Sequence, residues 1–155
     1  MPNSLVPRRW LRIALMFSMF ISLGSAIAAD LNPAAISIKL PKDIKWVESP
    51  AGSAQAILVG DPAKPGLYIV LTKWHANHMS RPHFHPNDRF ITVLSGTWWV
   101  GTGSKYDPDS TKPLPPGTFV THFRKQIHYA GAKDGDVVLQ ILGMGPATNT
   151  PAEEK

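Results

Sequence analysis

All six histidines of this 155-residue, cysteine-free chain fall between His75 and His128, and two of them form Pro82-His83-Phe84-His85-Pro86. Side chains two apart on a β-strand point to the same face, so a strand here turns the imidazoles of His83 and His85 toward one ion. A helix would need a spacing of four. Phe84 faces the other way and can pack, and Pro86 ends the strand just past the second imidazole. With no thiol in the chain, disulfides, thiolate ligands and a cysteine nucleophile are excluded. A metal would have to be held by imidazole, carboxylate, amide or water. His-x-His by itself describes two ordinary histidines on a polar strand face equally well, so its surroundings have to decide.

Those surroundings read as strands and turns. Ile36–Leu40 alternates apolar and polar residues, the period of a half-buried strand. Short β-branched or aromatic runs follow at Ala54–Val59, Leu67–Trp74, Phe90–Leu94, Thr97–Val100, Thr118–Phe123 and Val137–Met144. Asp61-Pro62 and Lys64-Pro65-Gly66 predict a turn between two of them, Ser95-Gly96 a tight hairpin, and Pro115-Pro116-Gly117 the entry to the next strand. Fifteen prolines and twelve glycines disfavour long helices, and no 3.6-residue stripe persists through a dozen residues after the first segment. The expected fold is a single all-β domain, a sandwich, jelly roll or closed barrel over residues 29–145, with 146–155 a mobile tail.

With the strands in place, the chain resembles the cupin superfamily. Its first motif, G-x5-H-x-H-x3-E-x6-G, is met by Asn77, His83, His85, Arg89 and Gly96 in register, with Asn77 for the first glycine and Arg89 for the glutamate. Asn tolerates a positive φ well, so the first change is mild. The second motif, G-x5-P-x-G-x2-H-x3-N, is met at Gly117 and His128, while Phe123, Lys125 and Ala132 replace its proline, second glycine and asparagine. The resemblance covers residues 77–132. It implies a cupin-type jelly-roll β-barrel in which His83, His85 and His128 converge on one divalent transition metal: Fe, Zn, Mn or Ni.

Arg89 breaks the pattern, because a guanidinium stays protonated and cannot coordinate a cation in place of the glutamate. Three outcomes stay open: a three-histidine site with open positions; Asp88 or another histidine moving into the carboxylate's role; or loss of the metal, with Arg89 binding an anion. Arg89 beside a divalent ion is repelled unless an anion lies between them, so pairing with Asp88 or with a substrate carboxylate fits better than a bare contact. A surface salt bridge is the bland alternative.

Other candidates carry two readings each. His122 is a pocket residue or a hydrogen-bonded core histidine, and His75 and His78 sit in a loop where a solvated role is expected. Alternation sends one of Trp98 and Trp99 inward, as core or as an aromatic wall to which Phe84, Phe119 and Tyr129 could add. Glu48, Glu153 and Glu154 lie outside the motif region, so no general base is evident.

The N-terminus has the three parts of a cleavable secretory signal over residues 1–28: Arg8, Arg9 and Arg12, an apolar run Ile13–Leu23, and Ala26-Ile27-Ala28. The run is shorter than the ~20 residues that span a bilayer, so no membrane insertion is expected after its removal. Arg12 stands where a twin-arginine signal wants an apolar residue, which favours the general secretory route and a periplasmic or secreted location. Residues 29–155 hold 13 Lys and Arg against 11 Asp and Glu, scattered, so nucleic acid is excluded as a partner. The leading expectation is a periplasmic mononuclear metal cupin acting on or binding a small organic molecule, most concretely a three-histidine dioxygenase with Arg89 orienting an anionic group. The competing expectation is a binding module without turnover, similar to the cupin domains of zinc anti-sigma factors or sugar-sensing cupins. Pairing of two copies through edge strands is expected to use Ile36–Leu40.

Overall fold

Short β-branched runs closed by Gly, Pro and Asp can bury their apolar faces only by stacking sheets. In the computed structural model, which describes residues 30–154, they form β1 (Val47–Ser49), β2 (Ser53–Val59), β3 (Gly66–Trp74), β4 (His78–Met79), β5 (His83–Phe84), β6 (Arg89–Ser95), β7 (Trp98–Thr102), β8 (Lys112–Leu114), β9 (Phe119–His122), β10 (His128–Ala132), β11 (Val137–Gly145) and β12 (Thr150–Pro151). The expected signal segment, residues 1–28, lies outside the described residues. The chain divides into two units, Met1–Ser37 and Ile38–Lys155. Within the first, the Asn32 side chain accepts the Ala34 N–H at 3.0 Å; the second is an all-β jelly roll.

Its strands pair antiparallel in two sheets. One runs β1-β2-β3-β11-β6-β9 and the other β12-β5-β10-β7-β8, with β4 also on β10. Tyr68, Val70, Ile91, Val93, Trp98, Val137, Leu139 and Ile141 form the core between them, all nearly sealed from solvent. Each such side chain contributes about 1.5–3 kcal/mol of burial free energy. Among the described residues, no helix is long and apolar enough to cross a membrane.

The two motifs survive as backbone shape. Asn77, Gly96, Gly117 and Lys125 occupy the four motif glycine positions, and their φ values are +63°, +74°, +84° and +60°. The two replacements therefore keep the left-handed turn that glycine adopts without steric cost. At Gly96 a side chain has no room, since a Cβ there would lie 2.2 Å from the Asp136 carbonyl oxygen. The turn at Ser95-Gly96 is not the expected hairpin: β6 pairs with β11 and β9, β7 with β10 and β8, so Gly96 carries the chain from one sheet to the other.

Three further expectations are corrected. Ile36–Leu40 is no strand; Ile36, Ile38 and Leu40 are exposed and Leu40 leads into a 3-10 turn at Pro41–Asp43. Alternation alone cannot make a strand that has no sheet edge to pair with, and the expected edge for dimer pairing goes with it. Residues 146–154, the described part of the expected tail at 146–155, are tied to the barrel. Within them β12 pairs with β5, Ala147 N–H reaches the Pro62 carbonyl at 2.7 Å and Ala152 N–H the Pro82 carbonyl at 2.9 Å, and Glu153 ion-pairs with Arg81. A segment held by backbone bonds and charge shows no apolar period. Among the strands not expected from the sequence is β10, the most buried of all. It carries alanine and glycine instead of β-branched residues because neighbours crowd it: a Cβ at Gly131 would lie 2.2 Å from the His78 carbonyl oxygen.

Gly96→Ala is expected to cost about 2 kcal/mol, whereas Lys125→Gly should stay within about 1 kcal/mol of the parent. Urea unfolding at neutral pH measures both.

Candidate metal centre

Residues directly opposite on antiparallel strands share a face. In one sheet His128 of β10 stands opposite His83 of β5, and in the other His122 of β9 stands opposite Arg89 of β6. The two pairs face each other across the barrel, with the rings of His122 and His128 only 3.7 Å apart. His85, one residue past β5, joins them, its ring centroid 4.9 Å from that of His83 and 5.1 Å from that of His128. Its carbonyl accepts the Lys125 N–H at 2.8 Å, so the second motif's left-handed turn ties down the first motif's second histidine.

Main-chain oxygens orient the rings. His83 Nδ1 lies 2.7 Å from the Arg81 carbonyl, His85 Nδ1 3.0 Å from that of Thr148, and His128 Nδ1 3.0 Å from that of Gln126. A carbonyl only accepts, so each Nδ1 must carry the proton and donate it, leaving the lone pair on Nε2. One ligand nitrogen from each of the three residues then lies within 4.8 Å of the others, and this group could hold a metal ion. The donor set fits: neutral imidazoles with fixed tautomers are the ligands that Zn, Fe, Mn and Ni accept.

Burial keeps the rings neutral. It pushes His85 down to about 3 and His128 to about 4, aided by the Arg89 charge at His85 and by His83 at His128. His83 is lowered for the same primary reason. His122, pushed to about 2 by burial and then by His128, has no partner for either ring nitrogen.

Arg89 enters this cluster as a cation. Its Nη1 donates to His85 Nε2 at 2.5 Å, and the 3.4 Å approach of Nη1 to Nδ1 of the same ring is donor beside donor. The Tyr68 hydroxyl stands by the guanidinium, while Arg89 Nε is sealed and unpartnered. Arg89 is thus no surface salt bridge. Asp88 is not its partner and no ligand either: its Oδ1 accepts the Arg124 N–H at 2.6 Å, on the far side of the chain's turn into β6.

The cluster lines a cavity of about 610 Å³ whose walls include Tyr68, Ile91, Trp98, Leu139 and Ile141. Among the described residues, no Asp or Glu lines it. Among the described residues, the buried side-chain polar atoms without a partner are Thr72 Oγ1, Arg89 Nε, Trp98 Nε1 and the two His122 nitrogens, and all four residues line this cavity.

Other candidates fall where alternation or local pairing puts them. Trp98 points inward and Trp99 outward, beneath Lys133. Tyr129, next to His128 on the strand, faces the opposite way and donates its hydroxyl to the Asp107 carbonyl at 2.9 Å, so it is not a pocket residue. Phe119 is exposed and stacks on Phe90, and Phe84 is absent from the cavity wall. His75 lies between Glu48 and Asp136, which raise its pKa, and His78 bonds the Ala76 carbonyl; neither belongs to the cluster of His83, His85 and His128. Tyr68 and Thr72 were not singled out in the sequence. Their signal was alternation within β3, which puts them on the face of Val70.

Neither a protein-family model nor a curated protein sequence matches the chain. Solved structures do. The polyketide cyclase RemF from Streptomyces resistomycificus superposes with a TM-score of 0.63 at 17% identity, over 77% of this chain and 87% of that one. A cupin-2 domain from Rhodospirillum rubrum gives 0.56 at 12% identity, over 77% and 80%. The chain has the cupin fold. KdgF from Halomonas sp. has the same fold at TM-score 0.56 and 21% identity, over 70% of this chain and 94% of that one. Identities this low carry the cupin barrel and nothing about its contents, which rest on the side chains above.

Because folding lowers these histidines below their ordinary pKa near 6.5, the unfolded chain takes up protons first as pH falls. Their contribution to stability is complete above about pH 6.5 and drains away toward pH 4, at about 1.4 kcal/mol per pH unit for each proton. The urea unfolding free energy is expected to fall by several kcal/mol from pH 7 to pH 4, and His122→Phe to make that slope shallower by about one proton.

Proposed function

We propose that this chain is an exported mononuclear metal cupin that binds or transforms a small organic molecule, with His83, His85 and His128 as the protein ligands. The observation that carries this is the set of three imidazoles whose Nδ1 atoms are all committed to backbone carbonyls, at 2.7–3.0 Å, leaving three Nε2 lone pairs in one buried space. Such a set is costly as structure alone, since burying unprotonated rings around a common point loses solvation and only the His85 lone pair gains a bond in return, from Arg89. A bound metal would supply Lewis-acid or redox chemistry and leave coordination positions for substrate, water or dioxygen.

The chain's own groups divide the remaining work. Arg89 orients an anionic group of the ligand. Tyr68 and Trp98 form an aromatic wall beside the ligand's apolar part, both being almost wholly buried and on the cavity face. The size of the cavity, about 610 Å³, suits a small organic molecule. A neighbour with this fold named as a polyketide cyclase supports the same class of ligand. A three-histidine dioxygenase is the most concrete enzymatic version. The lack of any carboxylate on the cavity wall among the described residues favours, as the second reading, a binding module without turnover, because the one unpartnered imidazole there, His122, is pushed down to about 2 by burial and is a weak base.

Elemental analysis of untagged protein is expected to find one transition metal per chain. It should be lost in His83→Ala/His85→Ala and kept in His122→Phe. Metal retained by the double variant would sink the assignment. Oxygen uptake with diketones, phenolics or small acids separates the enzyme from the module, which would bind such a molecule stoichiometrically and consume nothing.

A further inference from the structure

Arg89 and a metal ion ask for the same electron pair. With His85 Nδ1 donating to the Thr148 carbonyl, the ring's lone pair is on Nε2, and the guanidinium takes it at 2.5 Å. Three-histidine coordination therefore requires the guanidinium to let go, and a divalent ion repels it as well. On the cavity wall the Tyr68 hydroxyl stands by it, but that acceptor is neutral. Among the described residues no carboxylate lines the cavity, and Arg89 Nε has no partner. Trp98 Nε1 and Thr72 Oγ1, on the same wall, are unpartnered too.

These unused groups describe what is missing: an acceptor with two oxygens to meet the guanidinium fork, small enough for the cavity, with an apolar part against Tyr68 and Ile91. One buried guanidinium matches a single negative charge. A phosphate brings nearly two, and the nearest other arginine on the wall, Arg81, is engaged with Glu153. Resting on the metal reading above, we propose that the cavity takes a small organic monocarboxylate with an apolar body, and that its pairing with Arg89 frees His85 Nε2 for the ion. Acid and metal then bind in mutual reinforcement, each strengthening the other by the same factor. Arg89, at the position where the motif has a glutamate, is here the residue that makes the metal site conditional on its ligand.

The test uses the full-length protein, stripped of metal and titrated with Co2+ by visible absorption, alone and with saturating benzoate or its neutral analogue benzamide. Benzoate is expected to tighten Co2+ binding tenfold or more and benzamide to leave it unchanged. Arg89→Gln should bind Co2+ more tightly than the parent with no acid present, and lose the benzoate effect. An undiminished benzoate effect in Arg89→Gln would show that the acid acts on the ion alone and overturns the proposal, as would equal Co2+ affinity with and without benzoate in the parent. Calorimetry of benzoate with the stripped protein is the arm independent of metal: binding is expected in the parent and at least tenfold weaker in Arg89→Gln. If Co2+ fails to bind under any condition, the metal reading fails and with it the reinforcement, while this arm still decides the carboxylate site. Should Arg89→Gln not fold, Arg89→Lys keeps the charge without the fork. Its benzoate effect is expected to fall several-fold, and an unchanged effect overturns the role given to the guanidinium.

Discussion

Each of the three central imidazoles hands its Nδ1 proton to a main-chain oxygen, and the main chain can offer those oxygens only where the strands put them. The carbonyls of Arg81 and Gln126 lie two residues before the rings they hold, at the entries to β5 and β10; that of Thr148 comes from the segment leading to β12. A single bond of this kind is worth about 1 kcal/mol net, too little to dictate a fold. It is the barrel that dictates, by fixing His128 opposite His83 and His122 opposite Arg89. A slip of one residue in β10 would turn His128 out and Tyr129 in, exchanging an imidazole for a phenol.

The barrel interior has an unusual electrical make-up. Four neutral imidazoles, the buried Arg89 guanidinium, an indole N–H and a threonine hydroxyl meet in a space with no acid on its wall among the described residues. Burial keeps the imidazoles from adding charge of their own, and the Tyr68 hydroxyl gives the guanidinium partial relief. The arrangement is costly to fold and is held by the apolar cluster below it, where Val93, Val137 and Leu139 are almost fully buried. Tyr68, Ile91, Trp98 and Leu139 belong both to that cluster and to the cavity wall, so the packing that sustains the fold also shapes the ligand space.

Much of this was legible in the chain. His83 and His85 declared themselves through strand spacing, His128 through its distance from Gly117, and the barrel through its runs of β-branched residues. Asn77 was readable as a glycine substitute because its side chain tolerates the left-handed region, and its φ is +63°. What stayed hidden depends on partners remote in sequence. Arg89 could be seen as an anomaly but its hold on His85 could not, since it arises from tertiary approach. Tyr129 looked like a pocket aromatic until the register gave the inward face to His128. β10 lacks strand-forming residues because its crowded place in the sheet excludes them, and β12 is polar because its bonds are made by the backbone.

The contact between Thr148 and His85 gives the site a temporal order during synthesis. Sixty-three residues separate the ring from the oxygen that orients it. A nascent chain that has emerged only as far as β11 holds two aligned imidazoles and a third that can still rotate, which is a weak and unselective chelate. Tight capture of an ion by these three rings would thus wait until the last strand has docked, which would make it a property of the finished barrel.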